Sequence, residues 1–312
     1  MAWLEIIVDT TGKSMEDTAA ALTAAGFSDL VMEDQQEFED FLEQNRAYWD
    51  YVDDDFQQKL QGLSQIKLYL QEDDHAGLDK LTQVTAKLSL AFTATPLPET
   101  NWEESWKENY PAVEVGNRLT VIPYWLADTP LQGRLPIILD PGLTFGTGAH
   151  PSTQMVMEEM EQTVTEHSAC LDLGSGSGIL SITALRLGAK QTVGVDIDPK
   201  AENIARENAA YNGFCAPQFT ALTGNVTTDR ALMTRLSQTP YDIVLVNIVA
   251  DVIIGLCPVL PSFLQPSSTL ICSGILDNRL NEVIAAAEQA GLTVTSVRAK
   301  DEWRCITAKR RA

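Results

Sequence analysis

Histidine and cysteine, the side chains that most often bind transition metals, are scarce in this 312-residue chain. The histidines are His75, His150 and His167, and the five cysteines lie far apart, with no CxxC pair among them. Zinc sites and redox dithiols need such residues in closely spaced groups. The sequence therefore predicts no metal site, and it predicts isolated, reduced thiols in the core.

Long apolar runs are missing as well. No run reaches the roughly 20 residues that a helix needs to cross a bilayer. Residues 1–8 also lack the basic region and the long apolar stretch of a signal peptide. We therefore expect a cytoplasmic protein that does not associate with membranes.

Basic residues are outnumbered, because 22 lysines and arginines stand against 43 acidic residues and give a formal net charge of −21. A strongly negative protein repels a phosphate backbone at long range. Nucleic acid is therefore a poor candidate for a substrate or partner, and a basic protein is a better one. A simpler interpretation, in which the charge serves solubility alone, stays open.

The first 95 residues alternate between strand and helix patterns. Apolar alternation predicts strands at WLEIIVD, near residues 30–32, at QIKLYLQ and at SLAFTAT. Helices are predicted after Ser14, which caps the first of them, and over about residues 77–88. An acidic segment at 37–55 and a helical stretch, QQKLQG, are inserted. The order β-α-β-β-α-β favours a small ferredoxin-like α+β domain over residues 1–95.

Pro96 and Pro98 interrupt this pattern and indicate a linker over residues 96–112. In the predicted second domain, residues 113–312, short apolar strands alternate with helices from Ile137 onward. The strands are ACLDLG, QTVGVDI, QFTALTG, YDIVLVN, STLICSG, LTVTSVRAK and WRCITAKR. This alternation predicts an α/β fold, a doubly wound, mostly parallel Rossmann-like sheet.

A glycine-rich turn, GSGSG from Gly174 to Gly178, follows the strand ACLDL and opens a helix. Glycines let a backbone pass close to a ligand, and α/β folds bind ligands at the carboxyl ends of their strands. The alternative is a tight β-α turn with no ligand.

Asp196 ends the next strand, 22 positions after Gly174, where a carboxylate can accept hydrogen bonds from both hydroxyls of a ribose. Dinucleotide enzymes share this layout but use GxGxxG to seat a pyrophosphate. Here Asp172 precedes the turn. Its negative charge would attract the sulfonium and ammonium groups of S-adenosylmethionine, whereas it would repel a pyrophosphate. Asp198 is predicted to cap the helix that begins at Pro199.

Asn247 ends the otherwise apolar strand YDIVLVN. A polar side chain in that position must find polar partners. It could cap the following helix, or its carbonyl could accept a hydrogen bond from a nucleophilic amine beside the cofactor methyl.

The segment 139–153, LDPGLTFGTGAHPST, is rich in glycine and hydroxyl groups and leads into a helix at about Thr153. Gly142, Gly146 and Gly148 indicate that its backbone approaches something closely. We predict a mobile lid over the cofactor, with an ordinary ordered loop and a Ser/Thr helix cap as the alternative. His150 by itself is expected to be structural.

Together these motifs resemble one family, the PrmA methyltransferases of ribosomal protein L11. The resemblance rests on NWEESWKENYPAVEVGNRLTVIPYW, LDPGLTFGTGAHPSTQ, LDLGSGSGILSI with VGVDIDP, VNIVAD, SGIL and EWRCITAKR, in register over residues 101–312. It implies that Thr153, Gly174, Asp196 and Asn247 contact S-adenosylmethionine. It also implies methylation of lysine side chains and of the N-terminal amine of that basic protein, free or on the ribosome, which the first domain would present.

Departures from the family pattern, Ala149, Ser152 and Val249, leave the chemistry intact, whereas the acidic segment 37–55 bears on substrate recognition. We predict Asn247 as the catalytic residue, which orients a neutral amine for in-line transfer. The alternatives are another basic protein, an exocyclic amine of a nucleic acid, a non-catalytic ribosome-assembly factor and a nicotinamide dehydrogenase. A monomer is the default expectation.

Overall fold

The computed structural model describes residues 3–35, 62–97, 107, 110–141 and 147–311. The chain divides into two units, Met1–Tyr110 and Pro111–Ala312. The acidic segment 37–55, nearly all of the QQKLQG stretch and most of the predicted linker lie outside the described residues.

The first unit contains the predicted β-α-β-β-α-β order. Among its described residues, the elements are β1 (Trp3–Asp9), α1 (Met15–Ala24), β2 (Val31–Asp34), β3 (Ser64–Gln71), α2 (His75–Leu88) and β4 (Phe92–Leu97). The strands form an antiparallel sheet in the order β2-β3-β1-β4. This arrangement confirms the predicted ferredoxin-like fold. The Ser14 hydroxyl caps α1, as predicted, by accepting the backbone N–H of Asp17 at 3.1 Å.

Alternation along β1 explains how this sheet buries one face. Leu4, Ile6 and Val8 are buried and belong to one apolar cluster with residues of α1 and α2. β4 continues through Pro96 to Leu97. A proline is tolerated there because β4 is an edge strand, so its missing N–H is not needed by a second neighbour.

The second unit begins with a three-stranded sheet, in the order β5-β6-β7, formed by β5 (Val113–Val115), β6 (Leu119–Pro123) and β7 (Leu135–Leu139). Seven further strands follow: β8 (Ala169–Leu173), β9 (Gln191–Asp196), β10 (Phe219–Thr223), β11 (Tyr241–Asn247), β12 (Leu264–Leu276), β13 (Leu292–Lys300) and β14 (Trp303–Arg310). The helices are α3 (Pro151–Thr163), α4 (Ile179–Arg186), α5 (Pro199–Tyr211), α6 (Arg230–Ser237), α7 (Ala250–Leu256) and α8 (Leu280–Gln289).

The seven strands form one sheet in the order β10-β9-β8-β11-β12-β14-β13. All neighbours are parallel except β14, which runs antiparallel to both β12 and β13. This confirms the predicted mostly parallel Rossmann-like sheet. The chain winds outward in one direction from β8 to β10 and in the other from β11 onward. In open α/β sheets, the crevice that binds ligands lies at the carboxyl edge where this direction reverses, which here is between β8 and β11.

Several local predictions were wrong. The first three-stranded sheet and helix α6 were missed: the strands of that sheet are only three to five residues long, and α6 is a single segment of eight residues between two strands. The helix expected to reach about residue 264 ends at Leu256 and is followed by a 3-10 turn at Leu260–Ser262. All five cysteines are free, but only four are buried, and Cys215 is exposed. Within the described residues, no helix is long and apolar enough to span a membrane.

Candidate functional site

The turn after β8 requires glycine. The backbone N–H groups of Gly174 and Ser175 both donate to the Val195 carbonyl, at 2.8 and 3.1 Å, which ties the turn to β9. Gly174 has φ +79°, and a Cβ built on it would lie 2.5 Å from Cγ2 of Ile248, the residue after Asn247. A larger residue would therefore be strained and would collide with the end of the neighbouring strand.

Asp172 lies beneath this turn with only 1% of its surface exposed. Its Oδ2 accepts the Ser181 backbone N–H at 3.1 Å and the Ser181 hydroxyl at 2.8 Å. Gly178, the N-cap residue of α4, has no side chain to satisfy that first turn, so Asp172 does so from the strand. No described residue donates to its Oδ1. Burial raises the pKa of Asp172 to about 7. Asp172 is thus a buried helix-capping group and does not line the surface of the crevice.

Asp196 is only partly buried at the end of β9. Its Oδ2 accepts the Gly176 N–H at 2.8 Å, and its Oδ1 accepts the Asp198 N–H at 3.0 Å. Each carboxylate oxygen has a second lone pair, so the group can still accept two hydroxyl hydrogens. Asp198 caps α5 by accepting the Lys200 N–H at 2.9 Å, as predicted.

Asn247 and Thr153, which are 94 positions apart in the chain, meet at this edge. The Asn247 amide Nδ2 donates to the Thr153 hydroxyl Oγ1 at 3.0 Å, and Thr153 is 1% exposed. The alternative in which Asn247 caps the next helix is wrong, because Val249 is the N-cap residue of α7 and no side chain caps it. This bond directs the amide nitrogen toward Thr153 and leaves the carbonyl Oδ1 without a donor among the described residues.

The backbone after Asn247 is held by β12. The Ile248 N–H donates to the Ser273 carbonyl at 3.2 Å, and Gly274 has φ +84° with its Cβ position only 2.4 Å from the Ile248 carbonyl oxygen. The β12–β14 register shifts between Cys272 and Ile275. Sequence reasoning assigned no role to Gly274, although a glycine inside a strand indicates a bulge or a close backbone approach.

Segment 139–153 is only partly described. Residues 142–146, the middle of the predicted lid with two of its three glycines, lie outside the described residues, so the prediction of a lid stays a prediction. Gly148 has φ +84°, and its Cβ position lies 2.7 Å from Cγ2 of Val121, so its close approach is to this chain's own β6. α3 begins at Pro151, two residues earlier than predicted, and its N-cap is His150, not a serine or threonine.

Two further residues at this edge were missed. Asn208 of α5 is fully buried; its Nδ2 donates to the Ser177 carbonyl at 2.9 Å, and its Oδ1 accepts the Asp140 N–H at 2.8 Å. Asn208 thus links the glycine turn to the start of segment 139–153. Ile197, directly after Asp196, is 60% exposed and offers an apolar surface beside that carboxylate. The sequence could have indicated Ile197, because it directly follows the aspartate that ends β9.

The structure therefore brings all four predicted positions to one edge. Gly174 and Asp196 are joined through Val195 and Gly176, Thr153 contacts Asn247, and the space beside Gly174 is filled by the Ile248 side chain. Within the described part of the chain, no group of histidine, cysteine or acidic side chains is arranged to hold a metal ion.

A seven-stranded sheet in which the antiparallel strand β14 is next to last, with a glycine turn that lacks the GxGxxG pattern after β8 and a carboxylate at the end of β9, defines the class of S-adenosylmethionine-dependent methyltransferases. S-Adenosylmethionine is the cofactor of this class. A family model described as ribosomal protein L11 methyltransferase (PrmA) matches residues 2–311, and the chain belongs to that family.

Individual relatives agree with this assignment. The chain is 35% identical over 320 residues to a ribosomal protein L11 methyltransferase of Heliobacterium modesticaldum, which covers 99% of this chain and 98% of that protein. It is 32% identical over 323 residues to that of Exiguobacterium sibiricum, with all of both chains covered. A crystal structure of the ribosomal protein L11 methylase of Lactobacillus delbrueckii subsp. bulgaricus matches with a TM-score of 0.59 and 28% identity, covering 65% of this chain and all of that one.

Proposed function

We propose that this protein transfers methyl groups from S-adenosylmethionine to amines of ribosomal protein L11, namely lysine side chains and the N-terminal amine. The observation that carries the amine chemistry is the orientation of Asn247. Because its Nδ2 donates to Thr153, the end of the amide that remains available to a substrate is the carbonyl Oδ1, which accepts hydrogen bonds. A neutral amine has N–H groups to donate to such an acceptor.

We propose that the cofactor lies along the crevice from Asp196 to Asn247. Asp196 accepts hydrogen bonds from the ribose hydroxyls, and Ile197 packs against the adenine ring. The backbone at Gly174 passes beneath the methionine part, and Thr153 closes the end beside Asn247. The residues fit this ligand because the crevice offers one carboxylate for two hydroxyls and one exposed apolar side chain for a flat ring.

The bound cofactor supplies an electrophilic methyl group. This chain must then present a neutral amine in line with it and exclude water. A free lysine of pKa about 10.4 is neutral about once in a thousand molecules near pH 7.4, which costs roughly 4 kcal/mol. A poorly hydrated pocket lowers this cost, since it disfavours the ammonium. Asn247 then fixes the amine by accepting one N–H, so that the lone pair points at the methyl.

We also propose a division of labour along the chain. Residues 1–95, extended to Leu97 by the end of β4, form the ferredoxin-like domain that recognises the protein substrate. The rest of the predicted linker, residues 96–112, connects this domain to the methyltransferase domain of residues 113–312. The net charge of −21 supports a basic partner for the whole chain. We further propose a monomer that acts in the cytoplasm, and light scattering on the purified protein would test the monomer.

The direct test is transfer of radiolabelled methyl groups into purified, unmodified ribosomal protein L11. Asp196→Asn should raise the cofactor Kd at least tenfold, whereas Asn247→Ala should lower kcat at least tenfold with little change in that Kd. Asp242→Asn is the matched control, because Asp242 lies at the opposite end of the strand that carries Asn247 and its carboxylate accepts the Ala169 N–H at 2.8 Å.

The outcomes separate the rival functions. Cofactor binding without labelling of L11 would redirect the search to other basic proteins, and labelling of RNA or DNA would point to an exocyclic amine. Binding without turnover on any acceptor would support a non-catalytic assembly factor. Full activity of Asn247→Ala would refute the role of its carbonyl.

A further inference from the structure

His150 occupies an unusual position for a histidine, the N-cap of α3. Serine, threonine, aspartate and asparagine dominate such positions because a side-chain oxygen accepts a backbone N–H of the first turn. Here Nδ1 of His150 takes that part, at 3.3 Å from the Ser152 backbone nitrogen and 2.7 Å from the Ser152 hydroxyl. Acceptance at Nδ1 requires a neutral ring with its proton on Nε2.

The surroundings of the ring favour this neutral form. The Trp303 ring, from the start of β14, packs edge-on against it with centroids 4.6 Å apart. Burial lowers the pKa of His150, and the negative charge of Glu302 opposes this effect only in part. On the neighbouring strand, the Lys300 ammonium is engaged by Gln154 and lies 3.9 Å from Glu158.

The first turn of α3 carries a residue of the site. Thr153 lies three positions after His150, and its hydroxyl accepts the Asn247 amide. An N-cap fixes the path of the chain into a helix, so the same bonds that satisfy Ser152 also fix where Thr153 stands. If His150 gains a second ring proton, Nδ1 becomes a donor. The Ser152 hydroxyl can then accept from it, but the Ser152 backbone N–H loses its acceptor and faces an N–H donor.

We propose that His150 is a positioning residue: its neutral ring caps α3 so that Thr153 meets Asn247, and its protonation releases this first turn and weakens the cofactor site. The proposal rests on the proposed function, in which Thr153 closes the cofactor crevice. The neutral ring is kept at and above neutral pH and is lost as the pH falls below the ordinary range of a histidine. His150 acts through Thr153 and takes no proton from the substrate.

The test compares His150→Asn with the unmutated full-length protein. Asparagine places an acceptor oxygen close to the position of Nδ1 and is among the best N-cap residues, but it does not titrate. The Kd of S-adenosylhomocysteine is measured by calorimetry from pH 5 to pH 8, together with the thermal midpoint at each pH. Asp172, with its pKa of about 7, is common to both proteins, so the difference between their profiles isolates position 150.

At pH 8 we expect the two proteins to bind within about twofold of each other. At pH 5, the lower end of the range, the unmutated protein should bind up to about fivefold more weakly than His150→Asn, because losing one N-cap costs on this scale. His150→Ala should bind S-adenosylhomocysteine weakly at both pH values. If that variant does not fold, the comparison with asparagine decides alone.

Three results would overturn the proposal. Identical pH profiles of the unmutated protein and His150→Asn, with tight binding at pH 8, would remove the role of the cap and leave the cofactor site intact. Loss of methyl transfer by His150→Asn at pH 8, with unchanged cofactor Kd, would assign the ring to proton transfer instead. Absence of binding by both proteins at pH 8 would refute the cofactor site itself, and the proposal with it.

Discussion

The buried carboxyl group of Asp172 should make the protein less stable as the pH rises, and replacing it with asparagine should remove this dependence. Its side chain is fully enclosed, and its pKa is raised from 3.8 to about 7, first by burial and to a lesser degree by the negative charge of Asp196. The hydrogen bonds from Ser181 act in the opposite direction but do not cancel the burial. In the unfolded chain the same group ionises near its ordinary pKa.

The sign and size of the effect follow from this difference. Because the folded state disfavours the ionised form, stability falls as the pH rises from about 4 to about 7 and is then level. Three pKa units correspond to about 4 kcal/mol, of which about 2 to 3 kcal/mol is lost between pH 5 and pH 8. An asparagine in place of Asp172 cannot ionise, and its carbonyl oxygen can still accept both hydrogen bonds from Ser181.

The assay is urea unfolding of the unmutated protein and Asp172→Asn at pH 5, 6, 7 and 8, with m-values compared to ensure that the same transition is followed. The free energy of unfolding of the variant minus that of the unmutated protein should increase by about 2 to 3 kcal/mol from pH 5 to pH 8. Any constant effect of the new amide cancels in the comparison between pH values. A difference between the two proteins that does not vary with pH would refute the argument.

Three other substitutions test the crevice. Thr153→Val removes the acceptor of the Asn247 amide and should raise the activation free energy of methyl transfer by about 1 to 3 kcal/mol, which lowers kcat. Thr153→Ser keeps the hydroxyl and should keep most of the rate, so equal kcat values for the valine and serine variants would contradict a role for this contact. Gly174→Ala places a methyl group 2.5 Å from Ile248 Cγ2 at φ +79° and should cost about 2 to 4 kcal/mol of stability in urea unfolding, so a neutral effect would show that the turn relaxes. Ile197→Ser should raise the cofactor Kd about fivefold without changing the unfolding free energy, since the side chain is 60% exposed; an unchanged Kd in calorimetry would remove Ile197 from the site.

Much of the fold followed from local patterns. The central strands β8, β9 and β11 of the large sheet are short apolar runs followed by turn residues, and β1 shows the alternation of a half-buried strand. Asp196 could be placed from its spacing to Gly174, because strand, turn, helix and strand have nearly fixed lengths in such a unit. Thr153 was different, since only the family resemblance pointed to it. No pattern in the sequence connects it with Asn247, 94 positions away.

The contacts that complete the crevice could not be predicted because each joins segments that only the folded sheet brings together. Asn208 bonds across 68 positions to Asp140, and His150 packs against Trp303 from the last strand. An asparagine in a helix or a histidine before a proline has many possible partners, and local periodicity does not choose among them. The ends of the strands fix where Gly174, Asp196 and Asn247 lie. The contacts of Asn208 and His150 fix which segments of backbone lie beside them. The cofactor crevice therefore depends on the C-terminal strands as well as on the glycine turn. Substitution of Trp303 should displace His150, and through it Thr153, and should weaken cofactor binding.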